Sequence, residues 1–233
     1  MAFNHDLPFF GHLKQHNERH KQFAGYMRAV TESDEVHFRH LVKGFDWESL
    51  GTATVVDVGG SSGYASVALA KASPNLRFIV QDLPEVVKNS SSTCVSSDLK
   101  QATRIKFQAH NFFDKQPVHG ADVYLFRMIL HDWTFDNAVN IISNTVPTLR
   151  RKPKIIIMDT VLPEPWSILS AAERLLRVRD LTMMQFFNSG KRSIEDWKAI
   201  FRKAGLEVRE VNQLFGSNMS LIVSRLKRCE AVL

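Results

Sequence analysis

From about residue 52 to residue 160 the chain alternates between two hydrophobic rhythms. Short apolar runs of strand length occur at 52–58 (TATVVDV), 76–83 (LRFIVQDL), 104–112 (RIKFQAHNF), 121–130 (ADVYLFRMIL) and 154–162 (KIIIMDTVL). Between them lie stretches with apolar residues three and four apart. These are 62–72 (SGYASVALAKA), a start after Pro84 running from Glu85 to about Asn89, and Phe135 to Leu149 with Ala138, Ile141, Ile142, Val146 and Leu149 on one face. Repeated strand–helix units of this length predict an α/β fold with a doubly wound, mostly parallel sheet. The run at 154–162 is almost wholly apolar, which predicts one strand buried on both faces. Pro74-Asn75 reads as a turn and the serine-rich stretch 90–97 as a loop.

The flanks follow other patterns. Residues 1–50 are mostly helical in rhythm, with Phe23, Met27 and Val30 on one stripe, and read as a linker or docking segment. Residues 51–233 are then expected to form the main unit of the fold. Within it, Ser170 to Phe187 predicts one long helix carrying Leu175, Leu176, Val178, Leu181, Met183 and Met184, ended by Asn188-Ser189-Gly190. Ser193 is placed to cap a further helix, IEDWKAIFRKAG, that stops at Gly205. LEVREVNQLF and MSLIVSRLK alternate around Gly216-Ser217-Asn218 and predict a C-terminal antiparallel hairpin.

Composition narrows the function classes. Of the 233 residues, 44% are hydrophobic and 23% charged, enough to bury a sizeable core. The net charge of +6 is spread over scattered Lys and Arg with no basic run, which argues against nucleic acid as a partner. Two cysteines, Cys94 and Cys229, suit a reducing compartment and make neither a disulfide framework nor a metal cluster. The N-terminus shows no signal peptide and no stretch has membrane-spanning length, so a cytoplasmic protein with no membrane partner is expected. His12, His16 and His20 recur every four residues; without a carboxylate or cysteine partner they read as a solvated helix face, and no metal is expected.

The chemistry concentrates where the strand Val55–Val58 meets Gly59-Gly60-Ser61-Ser62-Gly63. A strand, a glycine turn and a helix opening at Tyr64 aim free backbone N–H groups and the positive helix end at a ligand. The dinucleotide fingerprint needs glycine at the third and sixth places, where Ser61 and Tyr64 stand. What remains is acid-x-Gly-Gly-x-x-Gly, beginning at Asp57, which resembles the first motif of the class I methyltransferases that bind S-adenosylmethionine. Asp57 can hold the loop amides or reach the amino group of a methionine moiety. Asp82, at the end of the next strand, can accept hydrogen bonds from both ribose hydroxyls of a nucleoside. His131 follows a buried strand and sits at the sheet's carboxyl end. Its neutral imidazole can take a proton from a phenol-like hydroxyl. Asp159, ending the following strand, is the natural acceptor for its other ring nitrogen, whereas Asp132, as a sequence neighbour, is expected to point away.

Five ordered motifs then resemble a family: VVDVGG, VQDLPEV, RMILHDW, IIIMDT and RDLTMMQFFNSGKRSIEDW, together with FAGYMRAV and HLVKGFDW. They are similar to the small-molecule O-methyltransferases, both the plant caffeate type and its fungal secondary-metabolite relatives, over about residues 9 to 226. The resemblance implies an S-adenosyl-L-methionine cofactor contacted by Gly59, Gly60, Asp82, Asn111, Phe112 and Arg127. It assigns the general base to His131 with Asp159 as its acidic partner, where plant relatives carry glutamate. It sets Asp180, Met183, Met184 and Asn188 along the pocket for a hydroxylated aromatic or polyketide acceptor; for the two methionines, helix packing is the competing reading. Two departures stand out. The family's N-terminal helical dimerisation domain is not in this chain, so the exposed N-terminal helices are expected to pair with a second copy. Lys191-Arg192 stand where plant relatives place a second catalytic glutamate. Both departures favour a rival, a protein that binds the cofactor without methyl transfer, either inactive or a cyclase. A nicotinamide-dependent reductase is disfavoured by the glycine spacing.

Overall fold

A computed structural model describes residues 9–90, 103–149 and 153–227. The serine-rich stretch from Ser91 onward, Cys94 and Cys229 lie outside the described residues. Seven strands make one sheet: β1 (Ala53–Val58), β2 (Leu76–Asp82), β3 (Ile105–Ala109), β4 (Val123–Arg127), β5 (Lys154–Asp159), β8 (Leu206–Gln213) and β9 (Ser220–Leu226). A separate two-stranded pair joins β6 (Val161–Leu162) to β7 (Arg192–Ser193). The helices are α1 (Phe9–Gln15), α2 (Asn17–Glu32), α3 (Phe38–Lys43), α4 (Tyr64–Ala72), α5 (Pro84–Ser90), α6 (Phe135–Thr145), α7 (Ser170–Phe187) and α8 (Ile194–Lys203).

The order across the sheet is β3-β2-β1-β4-β5-β9-β8, with β1 to β5 parallel and β9 antiparallel to both neighbours. The terminal hairpin is therefore present, and it is its second strand that joins β5. Alternation along β1 shows why the sheet is wound on both faces. Val55 packs with Leu41 of α3 and Leu69 of α4, while Val56 and Val58 pack with Ile141 and Ile142 of α6 and Trp197, Ile200 and Phe201 of α8. Each such large apolar side chain contributes about 1.5–3 kcal/mol when fully buried. The strand order reverses between β1 and β4, and in open α/β sheets ligands bind beyond the carboxyl ends at that point.

Local chemistry sets the element ends. Asn188 takes a left-handed conformation (φ 51°) and closes α7. Ser193 and Asp196 form a reciprocal capping box at the start of α8. The first fifty residues reach into the core: Val36, Leu41 and Trp47 are buried in the same cluster as Val55 and Phe78.

Two expectations are corrected. The apolar run at 154–162 is two strands, because β5 ends at Asp159 and the Thr160 amide donates to the Asp159 carboxylate (2.7 Å) instead of to a neighbouring strand. The histidine row is not a uniformly solvated face: His12 is buried, with its Nε2 2.6 Å from Arg19 Nη1, while His16 is exposed.

Candidate active site

Four strand ends converge at the crevice: Asp57 and the glycine turn after β1, Asp82 at β2, Arg127 at β4 and Asp159 at β5. The turn is held from behind by the Gly59 and Gly60 amides, both donating to the Gln81 carbonyl (2.8 and 3.0 Å). Gly59 has φ 72°, and a methyl there would lie 2.6 Å from Ile129 Cδ1. A methyl on Gly60 would meet Asp57 Cγ at 2.7 Å and Val80 Cγ1 at 2.8 Å. The turn is thus a backbone surface that no larger residue can form.

Asp57 is buried and accepts from Ser66 Oγ (2.7 Å); burial pushes its carboxyl up to about 6 against that hydrogen bond and the attraction of Arg127. Asp82 Oδ2 accepts from the Ser61 amide (2.9 Å) and Oδ1 from the Leu83 amide (2.8 Å), which holds the carboxylate beside the turn; burial raises its pKa. Asn111 Oδ1 accepts from the Phe113 amide (3.1 Å), and this small turn sets Phe112, whose Cε1 lies 3.7 Å from where a Gly59 side chain would begin. Trp133 packs edge-on against Phe113 and Phe112, at 4.7 and 5.7 Å.

Arg127 bridges both halves of the crevice. Its guanidinium lies over the Phe38 ring at 4.5 Å and donates from Nη2 to the Val36 carbonyl (2.6 Å). Burial brings its pKa down to about 10, opposed by the charges of Asp57 and Asp159. Its Nε is buried with no protein partner, an orphaned donor of the kind that a bound anion satisfies. A turn bare of side chains at Gly59 and Gly60, a carboxylate beside it and a buried guanidinium with an unpartnered Nε suit a nucleoside joined to an amino acid.

His131 lies in a single 3-10 turn, Leu130–Asp132, and is buried. Its Nδ1 is 2.8 and 2.7 Å from the two oxygens of Asp159. Burial pushes the Asp159 carboxyl up, but the imidazole, Lys191 and the Thr160 amide outweigh it and hold it well below the usual carboxylate range. An ionised Asp159 fixes the proton on Nδ1 and leaves Nε2 as the basic nitrogen. Asp132 does not point away: its Oδ1 is 3.3 Å from His131 Nε2, because the tight turn brings neighbours onto one side.

The residues expected along the acceptor pocket lie on α7 and its cap. Asp180 Oδ1 accepts from the Lys191 amide (2.6 Å), which ties the helix to the following segment. Met183 is half-buried, and Met184 and Asn188 are exposed.

The O-methyltransferase domain family matches residues 3–207. The chain belongs to that family. Curated members include the O-methyltransferase VdtC of Byssochlamys spectabilis, 49% identical over 226 residues, and the O-methyltransferase aoiF of Aspergillus oryzae, 50% identical over 228 residues; each alignment covers 95% of this chain, and 52% and 53% of the relative. This O-methyltransferase-family chain therefore spans about half the length of the curated relatives it matches. Among solved structures, LepI in complex with SAM superposes with a TM-score of 0.77 at 28% identity, over 97% of this chain and 57% of LepI.

Three residues noted in the sequence only as a basic pair and a helix-ending turn make contacts around His131. Arg192 donates to the Leu130 and Trp133 carbonyls (2.8 and 2.5 Å) and lies over Trp197, so it clamps the His131 turn from both sides. Ser189 Oγ donates to the His131 carbonyl. Lys191 Nζ lies 3.5 Å from Asp159 Oδ1. Nothing in their spacing pointed to those contacts. Among the described residues no His, Cys, Asp or Glu cluster can hold a metal ion, and no helix is long and apolar enough to cross a membrane.

Proposed function

We propose that the chain transfers a methyl group from S-adenosyl-L-methionine to a hydroxyl of a small aromatic or polyketide-type metabolite, with His131 as general base. The observation that carries this reading is the His131–Asp159 pair at the sheet's carboxyl end, beside the glycine turn. The cofactor, when bound, supplies an already activated methyl on a positive sulfonium. Gly59, Gly60 and Phe112 form its floor, with Asn111 setting the Phe112 turn. Asp82 would accept from its ribose hydroxyls and Arg127 would donate to its carboxylate, with Asp57 behind the turn. The acceptor hydroxyl gives its proton to His131 Nε2, and its oxygen becomes nucleophilic. Asp159 balances the imidazolium that results. Asp180, Met183, Met184 and Asn188 hold the acceptor's ring system, and the site orients reactants and excludes water.

Residues 51–233 are the catalytic unit in this proposal. Residues 1–50 dock on it, roof Arg127 through Val36 and Phe38, and offer a surface to a second copy, with Tyr26 exposed on α2. Titration calorimetry with S-adenosylhomocysteine, paired with a methyl-transfer assay on a panel of hydroxylated aromatics, tests the whole reading. His131→Ala is expected to bind S-adenosylhomocysteine like the parent and to lose turnover by about 10²-fold or more. Equal turnover in the variant removes His131 from its role, and absence of binding in the parent removes the function. Binding without transfer to any acceptor favours the rival, a protein that holds the cofactor for another reaction. The Asp132 carboxylate opposite Nε2 is the observation that keeps that rival in view.

A further inference from the structure

The imidazole of His131 stands between two carboxylates, Asp159 on Nδ1 and Asp132 on Nε2. A third charged group reaches the same cluster. Lys191 comes from the segment between α7 and β7, its side chain is 8% exposed, and its ammonium is 3.5 Å from Asp159 Oδ1. Its backbone N–H is committed elsewhere, to Asp180. We propose that Lys191 is a positioning residue for the base: its ammonium braces the Asp159 carboxylate and offsets one of the two negative charges that flank His131. This rests on reading His131 as the general base.

The charge arithmetic explains why such a group is needed. With both carboxylates ionised and Lys191 protonated, the cluster carries one net negative charge around a neutral ring and none around an imidazolium. Without the ammonium those values become two and one. A ring held between two uncompensated carboxylates binds its proton before the acceptor arrives, and an occupied Nε2 is no base. The charged groups facing the cluster act on one another, with burial working against each charge. Burial lowers the pKa of Lys191, opposed by Asp159 and then Asp132, with Arg179 adding to the lowering. Burial raises that of Asp132, opposed by His131 and Lys191. Arg127 and Arg192 act on Asp159 from farther off.

The test needs no acceptor. The ring resonance of His131 is followed against pH in histidine-labelled full chain, for the parent, Lys191→Met and Lys191→Arg. In Lys191→Met the His131 titration should move to higher pH by about one unit, roughly tenfold in proton affinity. Lys191→Arg should return it to the parent's position. Where an acceptor is in hand, the acid limb of kcat should move upward with it, while affinity for S-adenosylhomocysteine stays unchanged. Should Lys191→Met be insoluble, Lys191→Gln, which keeps a donor and drops the charge, is read the same way. Coincident titrations in the parent and a folded charge-free variant overturn the proposal. A shifted titration in a protein that methylates nothing leaves the role of Lys191 standing and removes the function instead.

Discussion

On the proposed cofactor side of the crevice, Asp57, Gly60, Asp82 and Arg127 come from strand ends of one sheet and the turn after β1. On the proposed acceptor side, Asp180, Met183, Met184 and Asn188 come from a single helix and its cap, whose outer residues face solvent: Val178, Leu181 and Met184 are 53%, 54% and 56% exposed. The first side is close-packed and carries buried charge, so its shape exists before any ligand arrives. The second leans on α1 through rings, with Phe9 edge-on to Phe23, Phe186 and Phe187 at 5.1 to 5.6 Å. A cofactor common to many reactions suits the first kind of site. The second is a surface on which side chains can change without disturbing a core.

The contrast is tested most severely at Gly60. Gly60→Ala places a methyl inside contact distance of Asp57 and Val80, and overpacking of this kind costs about 1–3 kcal/mol. Chemical denaturation should show that loss, and calorimetry a drop in S-adenosylhomocysteine affinity of about tenfold or more. A fully stable, fully binding variant would mean that the turn is looser than the cofactor side requires.

Asp57 gives a sharper reading of the same side. Its carboxyl is raised from 3.8 to about 6 by burial, so between those values the folded protein holds a proton that the unfolded chain has released. Stability therefore falls as pH rises through that window, by on the order of 3 kcal/mol for this group alone, and stays lost above it. Asp57→Asn should remove that share of the pH dependence. The ligand-free variant should melt higher than the parent at pH 7 and match it near pH 4. Parallel melting profiles across the range would contradict a destabilising buried carboxylate.

How far these sites were readable in the sequence follows the same division. The glycine turn, Asp57 and Asp82 are local: positive φ, a missing Cβ and a strand end are properties of a few consecutive residues. Helix ends were readable for the same reason, since Asn188 and the Ser193–Asp196 box act on their own helices. His131 and Asp159 were readable because parallel topology brings neighbouring strand ends together. The rest depends on three-dimensional meetings that no period encodes. Arg127 meets Val36 across 91 residues, and Lys191 meets Asp159 across 32. Asp132 turns toward His131 because the 3-10 turn brings together neighbours that ordinarily point apart.

The aromatic contacts of α1 should yield a smaller effect than either cofactor-side change. Among the described residues Phe9→Ala removes three edge-on ring contacts at a half-buried position, together worth roughly 1 kcal/mol. Hydrogen exchange should speed up in residues 9–15 and the end of α7, while amides of β1 and β4 keep their protection. Loss of protection throughout the sheet would show that the N-terminal helices support the core more than the ring contacts indicate.

Met184 should show the least in stability and is the most informative about the acceptor. At 56% exposed it buries too little for truncation to cost more than about 0.5 kcal/mol, the range of ordinary surface changes. A helix-packing role would require a cost of about 2 kcal/mol or more, as for a core methionine. Met184→Ala should therefore leave melting and S-adenosylhomocysteine binding unchanged while altering the ratio of kcat/KM between a larger and a smaller hydroxylated aromatic. Met183, half-buried on the same helix, is the control: Met183→Ala should cost stability as well as selectivity. If Met184→Ala changes neither ratio nor stability, the acceptor does not touch this face of α7, and the pocket wall must be sought on the α1 side, where Phe9 meets Phe187.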